Sequence, residues 1–246
     1  MSDEGPRGWG GPLHARVLDA AGVCPGSALL DLGCGAGAFA RAAADRGAVV
    51  TGVDVDRSAV AVAGAAVPEG TFRVGDAHDP PVGPFDVVAA VQLLPHVTNP
   101  LAVLRSAARV GSTVVVTVWG REDECDVRAF GEALAPWLPP RPAPAGPPPL
   151  TEPARLRKLV TLAGLTVDVF DEVLCPFDYP DAKALIGPVL ASRIGRHAVV
   201  RAGERAVRRA VLERLSRHRT PDGGYRLMNT FRVLVTLSEE GRAVRS

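Results

Sequence analysis

Short apolar runs alternate with amphipathic stretches along the first half of the chain. Runs at 28–32, 48–53, 71–74, 85–91 and 113–118 read as strands. Stretches at 37–46, 57–66, 99–109 and 153–163 repeat their apolar positions every three to four residues and read as helices. A short amphipathic helix is expected from Pro12 to Ala21. Alternation at this spacing predicts a parallel sheet with helices on both faces. Phe85 to Val91 and Thr113 to Val118 are nearly continuous apolar runs, the pattern of strands buried on both sides.

The rhythm breaks after Trp119. Residues 136–149 hold eight prolines in fourteen positions, which predicts a stiff polyproline-like connector. Helix 153–163 should end at Gly164. Leu165 to Leu174 reads as a strand, 181–219 as two or three helices, and Tyr225 to Leu237 as a last strand. Residues 1–11 are polar and glycine-rich and are expected to be mobile, Trp9 excepted. The expectation is one domain over 1–246, with cap segments within 1–20, 120–150 and 176–224.

Composition narrows the function classes. The chain has 246 residues, 47% of them hydrophobic, enough for a full core. A formal net charge of +1 gives no overall pull toward nucleic acid or an anionic membrane. Cys24, Cys34, Cys125 and Cys175 are far apart, which argues against a zinc site or a disulfide framework. No signal peptide opens the chain, and no apolar run nears the ~20 residues of a membrane span. A cytoplasmic protein, monomer or homodimer, with no nucleic-acid or membrane partner is expected.

Candidate chemistry begins at Asp31-Leu-Gly-Cys-Gly-Ala-Gly37, between the first strand and the first helix of the sheet. A glycine turn there lets the backbone bend sharply and lets a ligand press against it. Two further acids stand where the next strands end, Asp54 and Asp76. The spacing fits a dinucleotide, through Gly35-x-Gly37-x-x-Ala40 with Asp54 on a ribose, or S-adenosylmethionine, through Asp31, Gly33, Gly35 and Gly37. Asp31 and the Gly75-Asp76-Ala77 step favour the second.

On these landmarks and the segment Val91 to Pro100, the chain resembles the class I S-adenosylmethionine-dependent methyltransferases. It looks like the bacterial small-molecule type, broadly similar to the ubiquinone and menaquinone methyltransferases. The resemblance implies a Rossmann-like seven-stranded sheet, its last strand antiparallel, with helices on both faces and a helical cap. It implies that Gly33, Gly35 and Gly37 let the backbone approach the methionine portion of the cofactor, and that Cys34 between them binds the cofactor. Asp31 belongs to the same loop. Asp54 and Val55 would lie at the ribose, Asp76 would accept from the adenine amino group, and Ala77 would lie beside the ring. The Gln92 carbonyl would face the cofactor's amino group. The implied activity is methyl transfer to a small molecule. The skew to arginine over lysine, together with the expected cap, points to a bacterial secondary metabolite as the acceptor class.

Several residues carry a bland reading beside the functional one. His96 lies just past the fourth strand and is the one candidate general base, but packing or capping at the start of helix 99–109 is the favoured role. His14 and His78 are weaker candidates. No acid pair follows the fourth strand, so no metal is expected. Nine arginines between Arg193 and Arg219 could line an RNA or phosphate groove. Leu190, Ile194, Val207, Val211 and Leu215 form an apolar stripe opposite them, so a solvated face is the better reading. Glu122, Asp123, Glu124 and Asp126 read as a solvated loop near the active-site edge. Three rivals remain. They are a methyltransferase-fold protein that binds the cofactor without transferring methyl (a cyclase or scaffold), an NAD-dependent oxidoreductase, and an RNA methyltransferase. The last would carry N-P-P-[FY] where this chain has Gln92-Leu-Leu-Pro95.

Overall fold

The structure is a computed structural model and describes residues 6, 8–140, 148–239, 241 and 243. Residues 1–5 and 7 of the expected mobile terminus and 141–147 of the proline-rich connector lie outside these residues. Seven strands form one sheet in the order β3-β2-β1-β4-β5-β7-β6. They are β1 (Ala28–Leu32), β2 (Val49–Asp54), β3 (Thr71–Val74), β4 (Phe85–Val91), β5 (Gly111–Trp119), β6 (Thr166–Tyr179) and β7 (Tyr225–Leu237). Strands β1 to β5 pair in parallel, and β7 runs antiparallel to β5, with Thr113 opposite Leu237 and Trp119 opposite Phe231. This is the sheet that the resemblance implies, last strand included.

The chain divides into two compact units. The larger comprises Gly10–Trp119, Pro149–Val173 and Phe231–Ser246. Its helices are α1 (Gly11–Ala20), α2 (Ala38–Ala44), α3 (Arg57–Ala66), α4 (Pro100–Val110) and α6 (Pro153–Leu162). Local chemistry starts two of them. The Asp56 carboxylate caps α3 by accepting from the amides of Ser58 and Ala59, and Asn99 Oδ1 caps α4 by accepting from Ala102 N–H at 3.1 Å. Leu30, Val88, Val114 and Val116 of the sheet pack with Leu104 of α4 and Leu156 of α6 in one fully buried cluster. Each such side chain contributes about 1.5–3 kcal/mol by leaving water.

The second unit comprises Met1–Trp9, Gly120–Pro148 and Leu174–Thr230. It holds α5 (Arg128–Leu134), α7 (Ala182–Ala191), α8 (Arg193–Ala202) and α9 (Glu204–Arg214). Leu134, Leu185, Ile186, Val207, Val211 and Leu215 are among its buried apolar side chains. The expected apolar stripe needs correction at its amino end: Ile194 is exposed and Leu190 only half-buried. The segment is not one helix. Ser192 ends α7 and caps α8, and Gly203, at φ 81°, separates α8 from α9, so the phase of the stripe resets twice. The arginines do form a largely solvated face, and Arg208 and Arg214 pair with Glu204 and Glu132.

The acidic loop after β5 is mostly engaged within this unit. Glu124 accepts from the Arg121 amide at 2.7 Å and pairs with its guanidinium. Asp126 accepts from Met228 N–H at 2.8 Å.

Candidate cofactor site

Parallel pairing brings the carboxyl ends of β1, β2, β3 and β4 to one edge of the sheet. There Leu32 stands beside Val53, Asp54 beside Val74, and Asp31 beside Ala89. Open α/β sheets bind ligands at this edge. An open depression lined by Ser27, Asp86 and Ser112 lies at the amino ends of β1, β4 and β5, the wrong edge for that chemistry.

The glycine turn is built by hydrogen bonds to its neighbour strand. Gly33 N–H and Cys34 N–H both donate to Val53 O, at 2.7 and 3.1 Å, and Gly37 N–H donates back to Cys34 O at 2.9 Å. Gly35 has φ +50°, and a Cβ there would meet no protein atom within 4 Å. The backbone therefore faces open space at the centre of the turn, where a ligand can approach it closely. Gly37 has a different constraint: at φ +85° its Cβ would sit 2.9 Å from the Ala63 backbone, so glycine lets α2 and α3 approach.

Asp31 is 1% exposed, and its Oδ2 has no hydrogen-bond partner. Burial, helped by the Asp54 charge, pushes its carboxyl up to about 7. Gln92 follows β4 with φ 55°, the one non-glycine residue with positive φ among the described residues. Its amide and its Nε2 donate to Thr117 Oγ1 at 2.9 and 3.0 Å, while its buried Oε1 has no partner. A buried acceptor without a donor costs about 1–3 kcal/mol, and a non-glycine residue held at positive φ adds strain. Asp31 Oδ2 in β1 and Gln92 Oε1 just past β4 are buried acceptors without donors at this edge of the sheet, which fits a ligand bearing an ammonium or other N–H donor. Cys34 does not add a nucleophile, because burial and the Asp31 and Asp54 charges push its thiol up to about 12.

The outer half of the site is acidic. Asp54 Oδ2 accepts from Gly35 N–H and Oδ1 from Asp56 N–H, each at 2.9 Å. Beside it Val55 is 70% exposed. Asp76 is exposed, and its Oδ1 accepts from both the His78 amide and the His78 ring. These two bonds, the amide first, hold its carboxyl below the usual range. Ala77 is buried.

His96 closes a short 3-10 turn, Leu94–His96, and is exposed. Asn99, not His96, caps α4, and His96 is exposed. Among the described residues, no three His, Cys, Asp or Glu side chains gather in a way that could hold a metal. No helix among them is long and apolar enough to cross a membrane.

The hydrogen bonds that His78 makes to Asp76, and the unpartnered oxygens of Asp31 and Gln92, escaped sequence reading. The signal for one part was present, as Asp76-x-His78 has the spacing of a side chain that turns back on its own backbone.

Residues 30–113 match a family described as "Methyltransferase domain". A ubiquinone biosynthesis O-methyltransferase from Pseudomonas paraeruginosa is 35% identical over 106 residues, 40% of this chain and 46% of the relative. The match thus spans about half the length of that relative. The [4+2]-cyclase SpnF superposes with a TM-score of 0.56 at 21% identity, over 92% of this chain and 80% of its own. A magnesium protoporphyrin IX methyltransferase from Synechocystis PCC 6803, solved with bound S-adenosylhomocysteine, gives 0.55 at 17%, over the same 92% and 80%. At these identities the two structures establish the fold.

Proposed function

We propose that this chain, whose residues 30–113 match a methyltransferase-domain family, is a class I methyltransferase that binds S-adenosylmethionine and transfers its methyl group to a small-molecule acceptor. The observation that carries the reading is the pair of orphaned buried acceptors, Asp31 Oδ2 and Gln92 Oε1, at the edge of the sheet that carries the open glycine turn. The cofactor's ammonium supplies the donors this pair lacks. Asp54 serves the ribose hydroxyls, with Val55 beside them, and Asp76 with Ala77 serves the adenine. In this reading the bound cofactor supplies a sulfonium, an already activated methyl donor. The chain's own work is alignment of the nucleophile and exclusion of water. A base is needed only for a nucleophile that arrives protonated, and the exposed ring of His96 is the candidate.

The acceptor class follows by similarity to the O-methyltransferase relatives, and a bacterial secondary metabolite is our proposed acceptor. The cap segments within 1–20, 120–150 and 176–224 stand as a proposal too, although α1 belongs to the larger unit. Likeness in fold to a cyclase keeps a second reading in play, cofactor binding without methyl transfer. Incubation with S-adenosylmethionine and a panel of phenols, amines and acidic carbon compounds, followed by mass spectrometry, separates the two. Methylated product with S-adenosylhomocysteine supports transfer. Tight cofactor binding with an unmethylated, rearranged product supports the cyclase.

A further inference from the structure

We propose that His78 is a positioning residue that aims the Asp76 carboxylate and thereby makes the site selective for a 6-amino purine. The proposal rests on the S-adenosylmethionine reading above.

Asp76 sits two residues past β3 with its side chain 61% exposed. A carboxylate so exposed would ordinarily rotate freely and stay hydrated. Here one oxygen is fixed twice by one residue. The His78 amide donates to Asp76 Oδ1 at 2.9 Å, and His78 Nδ1 lies 2.6 Å from the same oxygen. Asp76 is ionised and can only accept, so Nδ1 is the protonated ring nitrogen and donates. Both bonds fall on Oδ1. Oδ2 has no protein partner among the described residues and is left for a ligand.

His78 is itself held. Its carbonyl accepts from Ser106 Oγ at 2.8 Å, and Ser106 Oγ accepts from Arg109 Nη2 at 2.7 Å. Ser106 is buried on α4, so the turn that carries His78 is fastened to a core helix. The ring itself is only 29% exposed. The result is an acceptor-only oxygen with a fixed direction. Such an oxygen rewards an exocyclic amino group and repels a carbonyl oxygen in the same place. Discrimination of this kind depends on orientation, because a freely turning carboxylate can move away from the wrong base.

The test is calorimetry with two probes, S-adenosylhomocysteine and its 6-oxo analogue S-inosylhomocysteine. Wild type should prefer the adenosyl compound. His78→Leu keeps the bulk and the backbone bond but loses the ring donor. It should weaken S-adenosylhomocysteine by roughly fivefold to tenfold while changing the inosyl compound little, so the preference shrinks by that factor. His78→Asn, whose amide nitrogen can stand where Nδ1 stands, should restore it. His78→Ala gives the same reading should the leucine variant fold poorly. An unchanged preference in His78→Leu or His78→Ala, with wild type binding normally, overturns the proposal alone. Failure of wild type to bind S-adenosylhomocysteine overturns the cofactor reading, and this proposal with it.

Discussion

Gly35 donates its amide hydrogen to Asp54 Oδ2 at 2.9 Å, so the acid at the end of β2 holds the centre of the glycine turn. The proposed ribose-binding acid and the proposed methionine-binding loop are one assembly. Asp54→Ala should therefore cost twice. Cofactor affinity should fall by about 1.5–3 kcal/mol, the worth of hydrogen bonds to a charged group. The free turn should also loosen, seen as faster amide exchange at Gly35. Calorimetry that finds unchanged affinity in a folded variant removes Asp54 from the site.

Substitution at Gly35 separates conformation from space. Gly35→Val should lower stability by about 1–2 kcal/mol, the cost of a left-handed L-residue, because nothing in the protein blocks the new side chain. It should abolish cofactor binding, because that side chain projects into the ligand's space. A variant that melts slightly early yet binds S-adenosylhomocysteine as wild type does would show that the ligand lies elsewhere.

Asp31 sets a pH dependence. Its folded value near 7 stands above the ordinary 3.8 of an aspartate, so between the two the folded chain holds a proton that the unfolded chain has lost. Its contribution to stability therefore falls as pH rises from about 4 to 7 and is fully unfavourable above that. Asp31→Asn should raise the melting temperature at pH 8, by about 2–4 °C per kcal/mol recovered, and leave it nearly unchanged at pH 4. Binding of a cationic cofactor should favour the carboxylate and release a proton near pH 7. The binding heat should then vary with the ionisation enthalpy of the buffer. Buffer-independent heats at pH 7 would detach Asp31 from the ligand.

His96 can be tested without knowing more of the site. Its ring is exposed and caps nothing, so His96→Ala should leave the melt within about 0.5 kcal/mol of wild type. Once an acceptor is identified, turnover should fall by less than the ~10²–10⁴-fold that a general base supplies, since alignment carries most of methyl transfer. A loss in that full range with an unchanged melt would make His96 the base.

The sheet was legible because its inner strands are buried on both faces and therefore read as unbroken apolar runs. β4 and β5 are the clearest cases. The helix α5 was not foreseen, because it is short and follows an acidic loop, and only Ala129, Ala133 and Leu134 are buried. Ile194 was misplaced because a stripe read along a chain assumes one unbroken helix, whereas Ser192 and Gly203 restart the phase. In the site, the positions of Asp31, Gly35, Asp54, Asp76 and Gln92 followed from motif and strand end. Their physics did not. Orphaned oxygens and the strained φ of Gln92 arise from burial and packing, which spacing along a chain does not encode.

The central claim is that the glycine turn, with Asp31 and Gln92 behind it, holds S-adenosylmethionine. Calorimetric titration of the wild-type protein with S-adenosylhomocysteine, repeated on Gly35→Val, tests it most directly. The account predicts saturable one-to-one binding by wild type and none by the folded variant. No binding by wild type, or equal binding by both, would contradict it.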